Sequence, residues 1–164
     1  MALPDTVEEI GQYAFAGETS VDMQISISKL PKNLKTIGSS AFWKAGPKVT
    51  ISSIPAGVSK IPQGCFYDCE HMLIQEFGID SGDGGLETIE IGAFERVGIA
   101  VTPTFDRVIF NKSVKNIILD DGSGRRSSFD GSYISKDIKI IEIHNSNLWN
   151  SYERVRELGG HFAD

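Results

Sequence analysis

One phrase of thirteen residues, repeated down the chain, constrains the fold more than any other feature. Leu3-Pro4-Asp5-Thr6-Val7-Glu8-Glu9-Ile10-Gly11-Gln12-Tyr13-Ala14-Phe15 returns as Leu30-Pro31, Leu34, Ile37-Gly38 and Ala41-Phe42. It returns again as Ile54-Pro55, Val58, Ile61-Pro62 and Cys65-Phe66, and more loosely as Gly82-Asp83, Leu86, Ile89 and Ala93-Phe94. A repeat of 20 to 50 residues signals stacked supersecondary units, none of which can bury its apolar face alone. The second apolar position runs Val7, Leu34, Val58, Leu86, Val114, Ile138, and an isoleucine follows three residues later each time: Ile10, Ile37, Ile61, Ile89, Ile117, Ile141. This predicts six coils: four clear repeats over 3–97 and two reduced ones over 108–144 that keep only the strand half.

Within a coil, Val7 to Ile10 reads as a short strand and Ala14-Phe15 as a tight helical or 3₁₀ turn. Proline cannot donate to a ladder, so Pro4, Pro31 and Pro55 should mark strand entry. Four phenylalanines at one register predict an internal ring column, with Ala or Cys beside each ring. The return half carries a second strand, from the alternation of Met23, Ile25 and Ile27, of Val49 and Ile51, and of Val108 and Phe110. Opening residue to Phe is constant (3 to 15, 30 to 42, 54 to 66, 82 to 94), whereas Phe to the next opening residue varies. Insertions therefore fall in the return segments, and insertions in a solenoid often collect on a binding face.

The phrase, and its continuation Phe66-Tyr67-Asp68-Cys69-Glu70-His71-Met72, resembles the BspA-type leucine-rich repeat. The resemblance covers 3–97 well and 108–144 weakly. It implies a β-rich leucine-rich-repeat solenoid, a right-handed stack with short turns, and Cys69 as a core position. It also implies a non-enzymatic role, since members look like surface adhesins that bind host matrix proteins or other cells, and similar repeats occur in phage-encoded proteins.

Composition narrows the partners. With 16 basic against 22 acidic residues the formal charge is −6, and no basic footprint for phosphates is present, so nucleic acid is not expected. No apolar run approaches a membrane span. Met1-Ala2-Leu3-Pro4-Asp5 lacks the basic and apolar regions of a secretory signal, which leaves a cytoplasmic or virion-associated chain, or a piece of a secreted surface protein. Cys65, Cys69 and His71 could form half a zinc site, but Cys65 stands where sister repeats place Ala, and core packing is the better reading.

No nucleophile motif or converging His arrangement is present, and no catalytic residue, cofactor or metal is expected. The loop Asp80-Ser81-Gly82-Asp83-Gly84-Gly85 has a calcium-like composition, but the twelfth position is Ile91 rather than Glu, so it reads as a turn. Asp120-Asp121-Gly122-Ser123-Gly124-Arg125-Arg126 reads as a hairpin tip. Asn111-Lys112-Ser113 is a formal glycosylation sequon. Aromatic and Arg side chains make favoured interface anchors. The candidate interface comprises Trp43, Lys44, Tyr67, Asp68, Glu70, His71, Phe77 and Arg96.

At the C-terminal end, Asn150 and Glu153 form a capping box. They open a helix at about 151–158 whose Trp149, Tyr152, Val155 and Leu158 would face the last coil, within a cap spanning 148–164. No cap precedes the first repeat, so a partner, a second copy or a segment outside the given sequence is expected over the N-terminal coil. Two functions follow: a protein- or glycan-binding module of adhesin type on the return-loop face, or a structural subunit of an assembly such as a phage virion or fibre.

Overall fold

The computed structural model describes residues 2–17, 26–82, 84–119, 122–145 and 148. The chain winds so that successive copies of the phrase lie side by side. Its strands are short: β1 Glu9–Ile10, β2 Thr36–Ile37, β3 Lys60–Ile61, β5 Thr88–Ile89 and β7 Asn116–Ile117. They pair in parallel and in repeat register, Ile10 with Ile37, and Ile61 with Ile89 with Ile117. The return halves form a second parallel sheet from β4 Glu76–Phe77, β6 Arg107–Phe110 and β8 Ile140–Ile143, with Phe77 opposite Phe110 opposite Ile143. A bridge between Ile27 and Val49 marks the same row in earlier coils. The molecule is a parallel β-solenoid.

Each strand is two to four residues long because two backbone devices bracket it. The first is a turn from the Pro position to the second apolar position. Val7, Leu34 and Val58 donate N–H to the carbonyls of Pro4, Pro31 and Pro55, and Val114 does so to Asn111. Proline fixes φ, and here it opens the turn ahead of the strand rather than entering the strand itself. The second device follows the isoleucine. In place of a regular helical or 3₁₀ turn, alternate amides serve different coils. The N–H groups of Ala41, Trp43 and Ala45 reach back to Gly38, Ser40 and Phe42, whereas those of Ser40, Phe42 and Lys44 reach across to Gln63, Cys65 and Tyr67. A 3₁₀ helix would satisfy every amide locally; this ribbon spends half of them on the neighbouring coil. It does so by placing Tyr13, Ser40, Gly64 and Gly92 in the left-handed region, at φ of 57°, 55°, 60° and 64°.

The phenylalanine column is present and longer than the phrase count. Phe15, Phe42, Phe66 and Phe94 stack at 5.2, 5.2 and 5.3 Å, and Phe129 continues the column 5.2 Å beyond Phe94 at an interplanar angle of 4°. Phe77 and Phe110 stack in the return row and meet the column edge-on. Ala41, Cys65, Ala93 and Ser128 fill the small slot beside the rings, all fully buried. Burial raises the thiols of Cys65 and Cys69 well above their usual range, and the Cys69 thiol donates to the Phe42 carbonyl at 3.0 Å. Both are core residues.

Two assignments along the chain differ from the sequence reading. The fifth coil keeps its turn half, with Ser128-Phe129 as its Ala-Phe pair, because an insertion between Ile117 and Phe129 displaced that pair from its usual offset. Ile138–Ile143 is no sixth phrase strand: it pairs with β6 and belongs to the return row of the fifth coil. A β-branched run near the repeat offset satisfies either row, and only pairing separates them. The single described α-helix, α1 Tyr133–Lys136, follows Phe129 and inserts Tyr133, whose buried hydroxyl engages both the N–H and the carbonyl of Ile74. The expected C-terminal helix lies outside the described residues, as do Met23 and Ile25.

Candidate ligand-binding furrow

The left-handed residues create a feature that the repeat then multiplies. A side chain at positive φ is strained unless it is small or tolerant of that region, and three of the four positions carry Ser40, Gly64 and Gly92. Stacked coil on coil, they leave a strip with little side-chain bulk. Three residues further along each coil stand Trp43 and Tyr67, which form one wall. Their rings lie 6.1 Å apart and 18° from parallel. Tyr13, 57% exposed, closes the N-terminal end of the strip. Gln63 and Ile91 also line the strip, as do Gly124, Arg125 and Arg126 from the insertion of the fifth coil. Together they enclose an open furrow of about 630 Å³.

Electrostatics divide this furrow. Glu95, 9% exposed, sits at the phrase position that Trp43 and Tyr67 occupy in earlier coils. Burial raises its carboxyl above the usual range, and the Arg126 guanidinium, 3.6 Å away, opposes that rise. Arg126 also reaches Asp130 at 3.2 Å, so it pins the insertion to the stack. Arg125 is exposed, and among the described residues no carboxylate pairs with it. Lys44 Nζ stands 4.7 Å from the Trp43 ring centroid, a cation–π contact that brings a second cation to the aromatic wall.

The residues expected at an interface separate into two groups and two single residues. Trp43, Lys44 and Tyr67 come together at the furrow wall. Asp68, Glu70 and Arg96 form a neighbouring ion-pair cluster, with Arg96 to Asp68 at 2.8 Å and to Glu70 at 3.8 Å; the Asp68 carboxylate raises the Arg96 guanidinium further. His71 is half-buried beyond that cluster and does not line the furrow. Phe77 is a correction: it is fully buried between Phe94, Phe110 and Phe129, as the edge contact that joins the two rows, and presents no surface. These wall residues stand on the turn row rather than on the return segments.

Sequence reasoning missed Tyr13, Ser40, Gln63, Gly64 and Gly92, and the part played by Arg125. The glycines Gly64 and Gly92 at one register immediately before Cys65 and Ala93 were the available signal, since glycine alone takes a left-handed backbone without strain. Elsewhere, Asp80 spends its carboxylate on the Lys112 N–H and on His144, so the acidic glycine loop does not offer those oxygens to calcium. Among the described residues, no group of three or more His, Cys, Asp or Glu side chains could hold a metal. Asn111 is buried, with its amide donating to Glu76 and to the Gly78 carbonyl, which removes it as a glycosylation acceptor.

Coils in register, an aromatic column and a strand–turn phrase define a leucine-rich-type solenoid. The family model for the BspA type leucine rich repeat region matches in six copies across residues 1–118, and the chain belongs to that family. Searches of curated proteins and of solved structures return no match.

Proposed function

We propose that this chain is a non-catalytic recognition module of adhesin type that engages a protein or glycan through the turn-row furrow. The observation that carries this reading is the stacked Trp43–Tyr67 pair, Trp43 exposed and Tyr67 half-buried, beside a strip with little side-chain bulk. Leucine-rich repeats of this type are commonly used for protein interaction or adhesion, and aromatic walls serve as binding anchors because they bring large contact area at low entropic cost. The turn-row amides beneath the site are hydrogen-bonded from coil to coil, and a site already held in place loses less ordering free energy when a ligand binds.

The test is adhesion of labelled chain to immobilised matrix proteins and to whole cells, comparing wild type with Trp43→Ala/Tyr67→Ala. The double variant should bind at least ~10-fold more weakly while keeping its melting temperature within a few degrees. Unchanged adhesion by the variant would remove the furrow from the function.

One observation favours a second reading, an assembly subunit. Leu3, Val7 and Phe15 at the N-terminal coil are only partly buried, and among the described residues Phe42 is the one ring stacked on Phe15. Light scattering over a concentration series distinguishes the two: a constant mass near 17.9 kDa supports the recognition module, and a discrete oligomer supports the assembly subunit.

A further inference from the structure

The furrow has a ligand chemistry written into what it offers and what it withholds. It withholds main-chain hydrogen bonds. Along the turn row the N–H groups of Tyr13, Phe15, Ser40, Phe42, Gly64 and Phe66 are all donated to the next coil's carbonyls. A peptide that binds as an added strand needs such groups free, so this strip does not take one. What it offers is side-chain chemistry: the Ser40 hydroxyl, the Gln63 amide, the Tyr13 and Tyr67 phenols and the Trp43 ring. At the insertion end stands the exposed guanidinium of Arg125, with which no carboxylate among the described residues pairs. Aliphatic lining is confined to Ile91, so an apolar small molecule finds too little to cover it.

We propose that the furrow binds a linear, carboxylate-bearing oligosaccharide, laid along the stack with its sugar rings against Trp43 and Tyr67 and a carboxylate on Arg125. This rests on the recognition-module reading and deepens it. Hydroxyl groups of a sugar match the scattered side-chain donors and acceptors, and its C–H faces suit aromatic walls. The furrow runs across four coils, which suits an extended polymer rather than a compact ligand. Arg126 is held by Glu95 and Asp130 and fixes the insertion, which leaves the neighbouring Arg125 to meet the anion. A guanidinium pairs with a carboxylate through two parallel hydrogen bonds, which gives both strength and orientation.

The experiment titrates the full chain with uronate oligosaccharides of four to six residues, containing galacturonate, mannuronate or glucuronate. Each is compared with the same oligosaccharide after its carboxylates are reduced to alcohols. The readout is the Trp43 indole N–H resonance, assigned with Trp43→Phe. Expected is a saturable shift with at least one uronate, binding about tenfold weaker for its reduced form, and loss of that difference in Arg125→Gln. Equal binding of acid and reduced forms, or no effect of Arg125→Gln, overturns the carboxylate assignment. A shift with hexaglutamate and none with any saccharide overturns the sugar in favour of an acidic peptide. If no saccharide shifts Trp43 while Trp43→Ala/Tyr67→Ala still abolishes adhesion, this inference falls and the recognition module stands. If adhesion is also unaffected, both fall.

Discussion

Phe66 shows how much one side chain can hold in a stack of this kind. Its ring is fully buried and touches rings on both sides, Phe42 and Phe94, so its removal opens a cavity that neither neighbouring coil can close. Phe66→Ala should cost about 3–5 kcal/mol, a large share of the 5–15 kcal/mol typical of a domain, and urea unfolding would measure it. Tyr133→Phe is a quieter test. It deletes the hydroxyl that satisfies both polar groups of Ile74 and should cost about 1–3 kcal/mol, since those groups stay buried without a partner. At this scale the sequence was legible wherever a residue recurs. Cys65 was readable as core because Ala stands in the same slot elsewhere. Phe77 was not, because it occurs in a return segment whose length varies, and only the pairing of Phe77 with Phe110 shows that the return row has a ring column too.

Among the elements, the return sheet carries a clasp that titrates. His144 bridges Glu142, at 2.7 Å, and Asp80, at 2.6 Å, so the flank of β8 is tied across β6 to the coil of β4. Hydrogen bonds to Glu142 and then Asp80 raise His144 above 6.5. The carboxyls move the opposite way: Glu142 is lowered from 4.5 chiefly by His144, and Asp80 from 3.8 chiefly by the Lys112 N–H. A raised histidine stabilises fully below its unfolded value and loses that contribution as pH rises through the folded one. The lowered carboxylates stabilise fully above their unfolded values and lose that contribution as pH falls. The clasp is therefore strongest between about pH 4.5 and 6.5. The melting-temperature difference between wild type and His144→Gln should peak in that window and fade on the alkaline side; a difference constant across pH would refute the clasp. Sequence reading could not find it, because residues 80 and 144 belong to coils two apart and no periodic pattern links them.

For the whole molecule, stability is a sum over coils and their nearest-neighbour contacts. Coils two to four are sandwiched on both sides, whereas Ala14 and Tyr13 of the first coil stay exposed. Amide exchange should be slowest from Val58 to Val97 and fastest in the first coil, as expected when local opening follows contact density. Uniform protection along the chain would mean that the stack opens only as a unit. The strand–turn phrase made this architecture readable from four copies. The fifth coil was misread because its insertion broke the spacing between Ile117 and Phe129, and spacing was the only evidence available for a degenerate copy.

The first positive-φ residue in each turn has a consequence for how such a surface changes over generations. Because the strip stays low where the first positive-φ position carries Ser40, Gly64 or Gly92, a duplicated coil with a small residue there brings its own segment of strip already aligned with the last. The length of polymer that the surface can accommodate is then a copy number, altered by recombination between repeats. The decoration at each step, Trp43 or Tyr67 or Glu95, is left to point mutation.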